Sequence, residues 1–112
     1  MSINNHYRSE CDFERDVIPD LKRIYSQNIW CYRTSYKQIQ PVRGIPDWLF
    51  CFYGYFVAIE FKNGRTDRKP HETLQNYNLM KIREANGFSS VCRTRQEVFD
   101  TFARIHDVVK NK

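Results

Sequence analysis

The stretch from Gly44 to Gly64, GIPDWLFCFYGYFVAIEFKNG, decides the reading of the chain. It is almost wholly apolar and aromatic, yet it carries Asp47, Glu60 and Lys62. The segments DWLFCF and YFVAIEFK flank Tyr53 and Gly54, which predicts a β-hairpin over residues 47–62. With those two residues as the turn, Phe52 faces Tyr55 and, stepping outward, Asp47 faces Glu60. Directly opposed residues lie about 4.5–5.5 Å apart on one face of a sheet, so the two carboxylates meet. Lys62 is two residues beyond Glu60 and shares its face. The weak point is Tyr53, a poor residue for a turn that needs positive φ; a loop one residue longer would shift the pairing.

The same register sorts the apolar residues. Trp48, Phe50, Phe52, Tyr55, Val57, Ile59 and Phe61 form a face without charge, which should be buried. The opposite face carries Leu49, Cys51, Phe56 and Ala58 before it reaches the charges. Both faces are therefore expected to be covered, as for central strands of an α/β layer fold.

Working outward, residues 10–26 have a helical stripe in Phe13, Val17, Leu21 and Ile24, with Ser9 as N-cap. Pro19 should kink or restart that helix. Residues 28–37 read as an aromatic strand. Pro41, Gly44 and Pro46 break the chain before the hairpin. A basic loop, NGRTDRKP, follows it at residues 63–70. A second helix is expected from about Pro70 to Asn86, with Gln75, Leu79 and Ile82 on one stripe and Gly87 as its stop. A short strand begins at Phe88. Thr94 and Glu97 then open a last helix with Val98, Phe102, Ile105 and Val109 on its core side.

At 112 residues the chain fits a single domain, 1–112. Its net charge of +5 favours polyanionic partners such as nucleic acid, the plainer reading being ordinary solubility charge. The N-terminus has no apolar signal region, and no run approaches a membrane span, so a cytoplasmic rather than secreted protein is expected, or one in a nucleoid or a host cytoplasm. The four cysteines form no CxxC pair and lie at no zinc-finger spacing to histidine, which argues for reduced thiols rather than a zinc site.

Two adjacent carboxylates repel, and each is costly to bury unless a cation joins them. Clustered oxygen ligands suit the hard cations Mg²⁺ and Mn²⁺. The backbone carbonyl of Phe61 would add an oxygen. A cation there can polarise a phosphate and activate water, with Lys62 orienting the water or stabilising charge. Arg65, Arg68 and Lys69 follow directly and suit a phosphate backbone, with Arg33, Lys37 and Arg43 as further candidates. The plainer readings are a Pro-Asp turn at Asp47, a solvated strand end at Glu60 and Lys62, and ordinary charged loops.

GIPD at Gly44–Asp47 followed by AIEFK at Ala58–Lys62 resembles the PD…ExK nuclease motif. With the preceding helix, Leu74-Gln75 and Gly87, the chain resembles the VRR-NUC family of small nucleases in particular, and archaeal-type Holliday junction resolvases share that core. The resemblance runs from about Glu14 to Thr101. It implies an α/β restriction-endonuclease-like core in the order αβββαβα, with a mixed central sheet flanked by helices. It implies Asp47 and Glu60 as metal ligands, Lys62 as catalytic lysine, Glu14 as a metal-binding acid from the first helix and Gln75 as a polar residue facing the site. Pro19 departs from the family pattern and bears on Glu14, for which Glu10 is the alternative.

The expectation is therefore a Mg²⁺- or Mn²⁺-dependent endonuclease that hydrolyses DNA phosphodiester bonds. Selectivity for branched, flapped or Holliday junction DNA, and a homodimer, rest on the resemblance. The alternatives are a non-catalytic DNA-binding module retaining the fold, a sequence-specific nuclease, and a structural protein whose charges form a salt-bridge cluster.

Overall fold

A computed structural model describes residues 7–34, 44–63 and 72–111. Five of the residues expected to meet phosphate, Lys37, Arg43, Arg65, Arg68 and Lys69, lie outside the described residues. The elements run α1 (Glu10–Tyr25), a 3-10 turn (Ser26–Asn28), β1 (Ile29–Arg33), β2 (Trp48–Phe52), β3 (Tyr55–Phe61), α2 (Glu72–Glu84), β4 (Phe88–Cys92) and α3 (Arg95–Lys110). Apart from the added turn, this is the expected αβββαβα order. The strands form one mixed sheet in the order β1-β2-β3-β4. The first two pairings are antiparallel and β4 runs parallel to β3.

The hairpin register is the expected one, from Phe52 opposite Tyr55 out to Trp48 opposite Ile59. Tyr53 and Gly54 take φ of 50° and 85°, both positive, as a tight reversal of this hand requires. Tyr53 tolerates this because it is held elsewhere. Its N–H donates to the Asn28 carbonyl at 2.8 Å. Its ring packs 4.9 Å from that of Phe52 and 5.0 Å from that of His106.

Helix α1 starts where Ser9 Oγ accepts from the Asp12 N–H at 3.1 Å. It passes through Pro19 without ending. Pro19 is on the exposed side, where water can take the Arg15 carbonyl that a proline leaves without its N–H. The buried stripe is Phe13, Val17 and Leu21, joined by Ile18; Ile24 is exposed instead. The i+4 row passes from Leu21 to Tyr25, whose ring meets Phe52 edge-on at 4.8 Å. Helix α3 begins at Thr94, which accepts from the Glu97 N–H at 3.1 Å, and Glu97 reaches back to the Arg93 N–H at 2.6 Å.

Helices α1 and α3 cover one face of the sheet. The core there joins Phe13, Val17 and Leu21 to Phe50, Phe52, Val57, Ile59, Phe61, Val98 and Phe102. Phe102 sits edge-on to both Phe50 and Phe52 at 5.0 Å. Each fully buried side chain of this size contributes about 1.5–3 kcal/mol.

The other face departs from expectation. Helix α2 packs on β4 and reaches the start of β2 through Asn78, whose Nδ2 donates to the Gly44 carbonyl at 2.7 Å. Among the described residues no helix lies over the β1–β2 side of this face. Trp30 is 61% exposed, Tyr32 55% and Phe56 46%. A single 13-residue helix does not span four strands. Gly87 also differs in role. Asn86, at φ 73°, takes the left-handed position after α2. A Cβ on Gly87 would lie 2.9 Å from Ile82 Cγ2 and 3.4 Å from the Phe56 ring, so glycine provides room there. No helix among the described residues is long and apolar enough to cross a membrane.

Candidate active site

Asp47 lies one residue before β2, and Glu60 and Phe61 close β3. The ladder between β2 and β3 ends at Trp48–Ile59, and the two acids continue it through their side chains. The Asp47 N–H donates to Glu60 Oε1 at 3.1 Å, and the Phe61 N–H donates to Asp47 Oδ2 at 3.0 Å. Each carboxyl thus takes the place of a missing backbone acceptor on the opposite strand. The two carboxyls are thereby held side by side across the end of the hairpin. In an extended strand the N–H and C=O of one residue point to the same side, so the Phe61 carbonyl is turned toward Asp47 as well.

Burial raises the pKa of both acids above the ordinary carboxylate range. For Asp47 the Phe61 N–H opposes the effect, while the charges of Glu14 and Glu10 add to it. For Glu60 the Asp47 charge adds to it, and the Lys62 ammonium opposes it. Lys62 is 5% exposed, with its Nζ 3.5 Å from Glu60 Oε2 and 3.4 Å from Gln75 Oε1. Its backbone N–H donates to the Cys92 carbonyl at 3.0 Å, so β4 fixes the point from which the side chain leaves. Gln75, 8% exposed, comes from the sheet-facing stripe of α2.

Glu14 is buried on α1 and close enough to raise Asp47, but its Oε1 accepts from Arg33 Nε at 2.7 Å. Arg33, expected at a phosphate, is engaged with this acid at the end of β1. Two supports were not legible in sequence. Thr34 clamps the segment before β2, its Oγ1 donating to the Pro46 carbonyl at 2.6 Å and its N–H to the Asp47 carbonyl at 2.9 Å. Gly44, at φ 79°, lies where a Cβ would fall 2.5 Å from Leu74 Cγ, so α2 sits directly on the turn before Asp47. The glycine one turn before Pro46-Asp47 was the available signal; a threonine 13 residues before Asp47 carries none.

The donor set is oxygen-rich and anionic, and its two acids are held together against their own repulsion. That fits a hard divalent cation. The fit stops at two acids: among the described residues no group of three or more His, Cys, Asp or Glu side chains could hold a metal ion.

No family model matches the sequence, and no curated protein does. A solved structure described as a VRR_NUC domain matches with a TM-score of 0.52 and 20% identity. The match covers 78% of this chain and 90% of that one. An identity this low speaks to the fold. Helix, antiparallel three-stranded meander, helix, parallel strand and helix give this chain the fold of that VRR_NUC domain.

Proposed function

We propose that this chain is a divalent-metal-dependent endonuclease that hydrolyses DNA phosphodiester bonds. The observation that carries the reading is the Asp47–Glu60 pair, joined by hydrogen bonds across the hairpin with the Lys62 ammonium beside it. Asp47 and Glu60 would hold Mg²⁺ or Mn²⁺, with the Phe61 carbonyl as a further oxygen. Bound there, the ion supplies Lewis-acid polarisation of a phosphoryl oxygen and a more acidic water.

The chain's own residues do the rest. The N–H groups of Asp47 and Phe61 each hold one carboxylate oxygen, so both acids are oriented before substrate arrives. Burial of the pair makes it a poor place for two unscreened negative charges, which favours cation entry over an empty, doubly ionised state. Lys62 keeps a positive charge at the edge of the pair, suited to an attacking water or to developing charge on phosphate. Gln75 accepts from that ammonium without neutralising it, and so sets its direction. Glu14, by way of Arg33, shapes the potential at Asp47.

The preference for branched or flapped DNA, the homodimer and the cytoplasmic setting belong to this same reading; the +5 charge supports its polyanionic partner. One observation favours the rival, a DNA-binding module without turnover: Glu14 Oε1 is committed to Arg33, which leaves two acids rather than three for the ion. A cleavage assay separates the two. Plasmid, linear duplex, flap and four-way junction are offered with Mg²⁺ or Mn²⁺ to the parent and to Asp47→Ala and Lys62→Ala. The nuclease reading expects cutting by the parent and loss of cutting with retained binding in Lys62→Ala. Cutting that survives both substitutions removes it, and binding without cutting in any metal selects the module.

A further inference from the structure

The bare half of the sheet lies on the same face as the carboxylates. Register places Trp30 opposite Cys51 and Cys51 opposite Phe56, one row across three strands. The next row is Tyr32, Leu49 and Ala58, and one step further along β2 and β3 come Asp47 and Glu60. Along β2 the rows therefore lead from exposed aromatics through half-buried Leu49 to half-buried Asp47, while Ala58 and Glu60 beside them on β3 are buried. Trp30 and Tyr32 project from alternate positions of β1, their ring planes 3° from parallel and their centroids 6.2 Å apart. No side chain of these two rows is charged.

Beyond Trp30 the surface turns polar. A cleft of about 400 Å³ is lined by Gln27, Asn28, Trp30, Cys51, Tyr53 and Gly54. Neither the Gln27 nor the Asn28 side-chain amide has a hydrogen-bond partner among the described residues. An aromatic face beside open amide donors and acceptors matches the two ways in which proteins hold an unpaired base, stacking and hydrogen bonding to its edge.

We infer that Trp30 and Tyr32, with the Gln27–Asn28 cleft, form a stacking track for the unpaired bases of single-stranded DNA leading away from the scissile phosphate. This rests on the nuclease reading of the acidic pair and gives it a substrate feature. The argument for this occupant over a second copy of the chain is twofold. The track is in register with the acidic pair, read above as a phosphate site, on a chain of net charge +5. Its far end is polar, where a copy-to-copy contact would favour an apolar centre. From Asp47 to Cys51 along β2 is about 13 Å at ~3.3 Å per residue. That spans at most about four nucleotides at the 3.4 Å per-strand step of a duplex, and fewer in an extended strand.

The test is done in EDTA, so that it reads binding whether or not the protein cuts. An oligothymidylate is titrated against the parent, Trp30→Phe and Trp30→Leu, following tryptophan fluorescence and the anisotropy of a labelled oligonucleotide. Trp30 is largely exposed, so each variant is expected to keep the parental far-ultraviolet spectrum. The track predicts quenching in the parent and affinity retained within about threefold in Trp30→Phe. Affinity falls about 5- to 100-fold in Trp30→Leu, which keeps apolar area but no ring face. Affinity for blunt duplex stays unchanged in all three. Equal affinity of parent and Trp30→Leu overturns the inference, as does an unquenched parent. So does sedimentation showing a dimer that Trp30→Leu dissociates, or tighter binding of oligouridylate than of oligothymidylate. A protein that cuts DNA but fails this titration loses the track and keeps the nuclease reading; one that passes but never cuts does the reverse.

Discussion

The two faces of the hairpin are made from alternate residues of the same two strands, and they behave as different materials. On one, Phe50, Phe52, Val57, Ile59 and Phe61 are all at most 1% exposed, sealed by α1 and α3. On the other, Phe56 is half open while Glu60 and Lys62, both ionisable, are buried. A helix pair covers the first from end to end. Among the described residues the second carries α2 alone, packed on β4, and the acids lie beside that cover. There they are dry enough for their repulsion to matter and near enough to the surface to receive a phosphate.

The contrast can be broken by substitution. The largest effect is expected from Asp47→Ala. Cleavage should fall below detection, by about a thousandfold or more if the ion is lost, while urea unfolding stays cooperative. Lys62→Ala should lower the cleavage rate by about 10²–10³ with DNA binding retained, measured by single-turnover cutting and by anisotropy. On the sealed face, Phe50→Ala should cost about 3–5 kcal/mol in denaturant unfolding, because its neighbours Phe102 and Trp48 cannot close the gap.

A smaller effect comes from pH. Folding raises the pKa of the acidic pair above the unfolded value near 4, so between these values the folded state binds more protons. Stability of the metal-free protein should therefore fall as pH rises from about 4 to about 8. Thermal melts in EDTA read this directly. Added Mg²⁺ should flatten the profile, because the ion replaces the proton. The smallest effect is expected on the open face, where Phe56→Ser should change stability by less than about 1 kcal/mol. A loss there as large as that of Phe50→Ala would show that the two faces are not different after all.

Much of this was legible along the chain because strand alternation is strict. Once Tyr53-Gly54 is taken as the turn, period-two pairing dictates that Asp47 meets Glu60, and one slipped residue would have turned Phe50, Phe52 and Phe61 outward. The caps of α1 and α3 were readable for a similar reason: they are local, made between residues three apart. What was not readable depended on distant partners. Pro19 looked like a break because its neighbours did not reveal that it faces solvent. Gly87 looked like a helix stop, but Asn86 takes the strained backbone and Gly87 makes room for Ile82 and Phe56. Arg33 showed no sign in sequence of its pairing with Glu14, which the packing of β1 beside α1 creates.

Order of elements, hairpin register and the pairing of two acids follow from the string of residues, since each rests on local periodicity or on a turn of two residues. Which face stays open, which acid is diverted to an arginine and where the lysine points do not. They depend on how far α2 extends over the sheet and where α1 crosses it. Those distances are set by packing between segments tens of residues apart, on which no short pattern reports.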